Sequence, residues 1–98
     1  MKREVAVLHG RVQGVGFRER VIAIARRHPI AGSVRNLHDG GLEIDVEGDE
    51  AAVDRFLADV QSHPPYFGAV ESVSRETRVP RGASDFAVAP SGAARKPG

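Results

Sequence analysis

Cysteine is absent from the 98-residue chain, which removes disulfides, thiolate metal ligands and covalent catalysis through sulfur together. No apolar stretch approaches the roughly 20 residues that a membrane helix needs. The opening residues Met1-Lys2-Arg3-Glu4 also lack the apolar core of a signal peptide. Neither a membrane protein nor an exported one is expected, and the cytoplasm is the default. Neither sign of charge dominates: the formal net charge is +1, so no broad basic field draws in nucleic acid. His9, His28, His38 and His63 are scattered, with no pair at i, i+3 or i, i+4, which argues against a histidine metal site. The P-loop pattern G-x-x-x-x-G-K-[ST], the dinucleotide pattern G-x-G-x-x-G and the G-x-S-x-G elbow are all missing.

What is present suffices for one domain. Hydrophobic residues make up 41% and charged residues 28%, near globular averages, and this length supports a single modest core. Residues 3–9 read as a strand, with Val5 and Val7 on one face and Ala6 and Leu8 on the other. Residues 17–28 read as a helix: Phe17, Val21, Ile24 and Ala25 form its apolar stripe, and Pro29 stops it. A second strand over 30–37 leads into His38-Asp39-Gly40-Gly41, a strong hairpin signal. The third strand alternates Leu42, Ile44 and Val46 with Glu43, Asp45 and Glu47, which predicts one buried face and one wet face. The wet carboxylates are expected to pair with arginines of neighbouring strands, a commoner role than glycosidase or metal chemistry.

Asp49 is a suitable N-cap for a helix over 50–61 with the stripe Val53, Phe56, Leu57 and Val60. A Pro-rich loop (62–68), a fourth strand over 69–79 and a short closing strand at Phe86-Ala87-Val88 follow. The order β-α-β-β-α-β plus one small strand predicts an α+β fold: a ferredoxin-like split βαβ sandwich. Two helices would cover one face of a four- to five-stranded, mainly antiparallel sheet. The domain is expected over residues 1–90, with 91–98 a disordered tail.

The chemistry concentrates in His9-Gly10-Arg11-Val12-Gln13-Gly14-Val15-Gly16-Phe17-Arg18, where a strand ends in a glycine-punctuated loop and a helix begins. Gly10, Gly14 and Gly16 permit positive φ and close approach of a ligand. The first N–H groups of a helix have no partners within it, and the helix dipole is positive there. With the guanidinium of Arg18 they could bind a phosphate-sized anion. Spacing alone supports equally a tight βα connection with a solvated arginine. Asn36, taken alone, reads first as a polar residue opening the hairpin turn.

The same residues resemble a known family. Leu8 through Arg18 is similar to the first signature of the acylphosphatases, small enzymes that hydrolyse carboxyl-phosphate mixed anhydrides. Gly32-Ser33-Val34-Arg35-Asn36-Leu37-His38-Asp39-Gly40 through Gly48 is similar to the second. The resemblance covers most of residues 4–90 and implies a metal-independent hydrolase without cofactors. In that reading Arg18 binds the phosphate, the backbone of Gln13, Gly14, Val15, Gly16 and Phe17 cradles it, and Asn36 orients the attacking water. Ser33 stands where the family has an aromatic residue, and Leu42 where it has valine.

The implied partner is a small acyl phosphate, with neither nucleic acid nor membrane involved, and the chain is expected to be a monomer. An RNA-binding sheet face would need aromatics on the central strands, where this chain has carboxylates. A phosphate- or carbamoyl-phosphate-sensing module, similar to one in hydrogenase maturation carbamoyltransferases, is a third reading; a free-standing enzyme is simpler.

Overall fold

The strictly alternating strand lies at the middle of the sheet. In the computed structural model, which describes residues 1–92, the elements run β1 (Lys2–Arg11), α1 (Phe17–Ala25), β2 (Ile30–Asn36), β3 (Leu42–Gly48), α2 (Glu50–Ser62), β4 (Ala69–Arg78) and β5 (Phe86–Val88). The sheet order is β4-β1-β3-β2-β5. All neighbours are antiparallel except β2 and β5, which are parallel. This is the predicted split βαβ architecture with its fifth strand added at the β2 edge. Both helices pack on one face, where Ala6, Leu8, Leu42, Ile44 and Val46 meet Phe17, Val21, Ile24, Val53, Phe56 and Leu57 in one buried cluster. Phe86 of β5 closes it, edge-on to Phe56 with ring centroids 5.5 Å apart.

Three local expectations differ from the structure. The first helix ends at Ala25 and not at residue 28. Bonds from Arg27 N to Ile24 O (2.9 Å) and His28 N to Ala25 O (3.1 Å) tighten the chain there, because the ring of Pro29 disfavours helical geometry in the residue before it. Asp49 does occupy the N-cap of α2, but its side chain makes no capping bond. Its carboxylate acts there only through the helix dipole.

The third difference concerns the face opposite the helices. Glu43, Asp45 and Glu47 are 3%, 6% and 3% exposed, so the face predicted to be wet is dry along β3. The expected arginines do pair with them: Arg35 Nε donates to Glu43 at 3.0 Å, and Arg3 makes a two-pronged contact with Asp45 at 2.8 and 2.7 Å. The connection between β4 and β5 then folds over the strand. Arg81 pairs with Asp45, and the backbone N–H groups of Arg81, Gly82 and Ala83 all donate to Glu47. Burial pushes the Asp45 carboxyl up, but Arg3 and Arg81 outweigh it and hold the group below the usual range. Burial likewise opposes the ionised form of Glu47, and the three backbone donors prevail, leaving its pKa lowered. Beneath this strap Ser33 lines a cavity of about 250 Å³ with Gly32 and Ala83.

The tail expected over 91–98 lies, from residue 93 on, outside the described residues. Gly92 itself bridges to Leu37. Its N–H donates to Asn36 O at 3.1 Å, and its carbonyl accepts from His38 N at 2.8 Å.

Candidate active site

Strand order brings the two signature stretches together. Both β1 and β2 run antiparallel to β3, which lies between them, so they point the same way and their C-terminal ends share one edge of the molecule. The loop after β1 and the last residue of β2 therefore meet. They wall a cavity of about 210 Å³ lined by Val12, Gln13, Gly14, Gly16, Phe17, Arg18, Glu19 and Asn36.

Each wall has a local cause. Gly14 and Gly16 have φ of 73° and 78°, and a Cβ at Gly14 would meet nothing within 4 Å. Glycine is needed there for the sign of φ, not for space. Gly16 is the N-cap of α1, with no side-chain cap. The first intrahelical bond runs from Arg20 N to Gly16 O (3.1 Å), so the N–H groups of Phe17, Arg18 and Glu19 have no acceptor within the helix. Gly10 has a different role: at the β1–β4 bulge its φ is 136°, and a Cβ would collide with Ala69 O. It serves sheet closure, and the cavity does not include it. Val15 is also off the cavity wall and packs against the core.

Arg18 is half-buried. Other arginines withdrawn from solvent are committed: Arg3 to Asp45, Arg35 to Glu43 and Arg78 to Glu76. Among the described residues no carboxylate pairs with Arg18. Across the cavity, Asn36 Oδ1 is buried and has no hydrogen-bond partner among the described residues. A buried carbonyl left in this state costs about 1–3 kcal/mol. A donor arriving from the cavity would remove that penalty.

Gln13 sets the spacing between the walls. Its Nε2 donates to Leu37 O at 2.7 Å and to Gly41 O at 2.8 Å, bracing the loop against the turn that follows Asn36. The turn is held in addition by Gly41 N donating to Asp39 Oδ1 (2.9 Å) and by His9 Nε2 at 3.3 Å from Asp39 Oδ2. The Gly41 N–H, and then His9, keep the Asp39 carboxyl below its ordinary value. Glu19 and Val12 line the cavity without a signal in the sequence; Glu19 in the first turn of α1 suits the helix dipole, which disguises it as a purely helical residue. Among the described residues no cluster of three or more His, Asp or Glu side chains could hold a metal ion.

The acylphosphatase family profile matches residues 4–88. The chain belongs to the acylphosphatase family. The acylphosphatase of Thermotoga petrophila is 42% identical over 81 residues, spanning 83% of this chain and 89% of the relative. That of Acidiphilium cryptum is 51% identical over 59 residues, spanning 60% and 65%. The crystal structure of acylphosphatase from Bacillus subtilis superposes with a TM-score of 0.85 at 36% identity, covering 91% of this chain and 99% of that one. Full-length HypF in its phosphate- and nucleotide-bound form superposes at 0.87 with 29% identity over 94% of this chain, but only 12% of HypF is matched. This acylphosphatase thus hydrolyses acyl phosphates on an α+β, ferredoxin-like scaffold.

Proposed function

We propose that Arg18, with backbone N–H groups of 13–17, holds the phosphoryl group while Asn36 orients the attacking water. The observation that carries this reading is the shared cavity: on one wall a guanidinium and on the other a buried amide oxygen, neither with a partner among the described residues. An acyl phosphate already has a good leaving group, so catalysis reduces to concentrating positive charge on the phosphoryl oxygens and placing water in line. Arg supplies a planar donor fork that stays charged at working pH. Asn36 Oδ1 accepts from the water and fixes its lone pair towards phosphorus.

In the step itself the water oxygen bonds to phosphorus and the bond from phosphorus to the carboxyl oxygen breaks. The carboxylate departs with the electron pair, and a water proton passes to a phosphoryl oxygen. The products are a carboxylate and dihydrogen phosphate, and no side-chain base is required. The reading includes a metal-independent, cytoplasmic monomer. In support of the monomer, the β4 edge carries Glu71, Arg75 and Glu76, charges that oppose strand pairing between copies.

Benzoyl phosphate hydrolysis in EDTA is the test. Wild-type turnover should persist. Arg18→Ala and Asn36→Ala should each lower kcat/KM by about 10²–10³, the usual effect of losing one positioned electrostatic contact. Turnover in ¹⁸O-water should place the label in phosphate. Label in benzoate, or activity lost to chelation, would overturn the scheme.

A further inference from the structure

The phosphate cavity is too small and too polar to hold a bulky acyl group as well. At about 210 Å³ it falls below the roughly 300–1,000 Å³ of pockets that enclose an organic ligand. Its side chains include Gln13, Arg18, Glu19 and Asn36. The acyl part of a bound substrate must therefore lie outside, on whatever surface borders the cavity mouth.

Five large apolar side chains are exposed among the described residues, and topology separates them. Met1 and Val79 (80% and 81% exposed) lie where β1 starts and β4 ends, away from the cavity. Val88 (51%), on the three-residue edge strand β5, stands opposite Val34 of β2 and so nears the cavity edge as well, but as a single aliphatic side chain. Tyr66 and Phe67 (91% and 71%) occupy the loop between α2 and β4, and that loop returns to the cavity edge of the sheet. Ala69 pairs with Arg11, the last residue of β1, and Val12 already lines the cavity. A Cβ added at Gly68 would stand 3.2 Å from the ring of Phe17, the residue that opens α1 and contributes to the cavity wall.

The backbone that carries the two aromatics is held in place. Pro65 is buried, and Gly68 N donates to Pro65 O at 2.8 Å, closing a tight turn across the pair. The rings stand at 90° with centroids 4.7 Å apart, a favourable edge-to-face arrangement. Neither ring contributes to the core, so the fold gains little from their identity. An aromatic corner on the same edge of the sheet as an anion pocket is complementary to an anhydride whose other end is apolar.

We propose that Tyr66 and Phe67 form the acyl-binding surface, and that aromatic or branched apolar acyl phosphates are preferred over acetyl phosphate. This inference rests on Arg18 holding the phosphoryl group. Both side chains are substitution-tolerant because they are exposed.

The experiment compares kcat/KM for benzoyl and acetyl phosphate in wild type and in the double variant Tyr66→Ala, Phe67→Ala. Wild type should favour benzoyl phosphate, and the double variant should lose about tenfold on benzoyl while acetyl changes less than twofold. A direct readout comes from Tyr66, the only tyrosine in a chain without tryptophan. A benzoyl phosphonate with methylene in place of the bridging oxygen should perturb its fluorescence, and inorganic phosphate should not. An unchanged benzoyl-to-acetyl ratio, or no fluorescence change at a saturating concentration of the phosphonate, would overturn the proposal. Arg18→Ala assayed on acetyl phosphate separates the two levels: if it stays active, the phosphoryl assignment has failed, and if it is inactive the acyl surface alone is in question.

Discussion

Gln13 donates its side-chain amide to the carbonyl of Leu37, the residue immediately after Asn36, at 2.7 Å. The distance between the loop after β1 and Asn36 is thereby fixed by a side chain, not by the sheet alone. Gln13→Ala leaves the carbonyls of Leu37 and Gly41 without this donor. The variant should lose about 1–2 kcal/mol of stability, read from urea denaturation. Its kcat should fall about tenfold, because small misplacements of reacting groups are expensive. Gln13→Glu, which turns a carboxylate onto two carbonyl oxygens, should be at least as damaging. Wild-type kcat in both variants would remove Gln13 from the positioning of the site.

Asn36 should show activity and stability moving in opposite senses. Its Oδ1 is buried without a partner among the described residues, an arrangement that a fold tolerates only for a purpose. Asn36→Ala removes the unsatisfied acceptor, so its urea midpoint should match or exceed that of wild type even as turnover collapses. A loss of more than about 1 kcal/mol would mean that the side chain is structural.

These contacts differ in how visible they are in the sequence. The apolar alternation of Leu42, Ile44 and Val46 has a period that only a strand satisfies, and Asp39-Gly40 marks its turn, so the centre of the fold could be read directly. Asn36 could not be read from its surroundings; only the paired signatures singled it out. Gln13 reaches across 24 residues to Leu37, and nothing local specifies that reach. The burial of Glu43, Asp45 and Glu47 is illegible in the sequence for the same reason. Period two states that they share a face, but not that Arg3 and the strap at 81–83 will cover it.

That covered face gives the protein an acid-sensitive fastening. Asp45 and Glu47 both titrate below their ordinary values in the fold. Depressed carboxyl groups stabilise the folded state fully above their unfolded pKa, about 4, and the contribution disappears as pH falls through the lower folded values. Urea midpoints should therefore be level from about pH 7 to pH 5 and drop below about pH 4. Asp45→Asn should flatten that drop while lowering the plateau, because Arg3 and Arg81 lose their charged partner. A variant that keeps the full acid slope would place the sensitivity elsewhere.

Two glycines of the same signature should separate sheet closure from catalysis. At Gly10 a side chain would strike Ala69 O across the β1–β4 bulge, in addition to the unfavourable φ. Gly10→Ala should accordingly be the more destabilising change, with kcat per folded molecule close to wild type. At Gly16 the added methyl group reaches only Glu19 Oε2, at 4.0 Å, so the penalty is that of a left-handed backbone alone, about 1–2 kcal/mol. Yet Gly16 is the N-cap of α1, and relaxing its φ would re-aim the free N–H groups that follow it. Gly16→Ala should raise the inhibition constant of inorganic phosphate several-fold at a modest loss of stability. The reverse pattern, with phosphate affinity lost at position 10 and kept at position 16, would mean that the anion is held by the end of β1 and not by the start of α1.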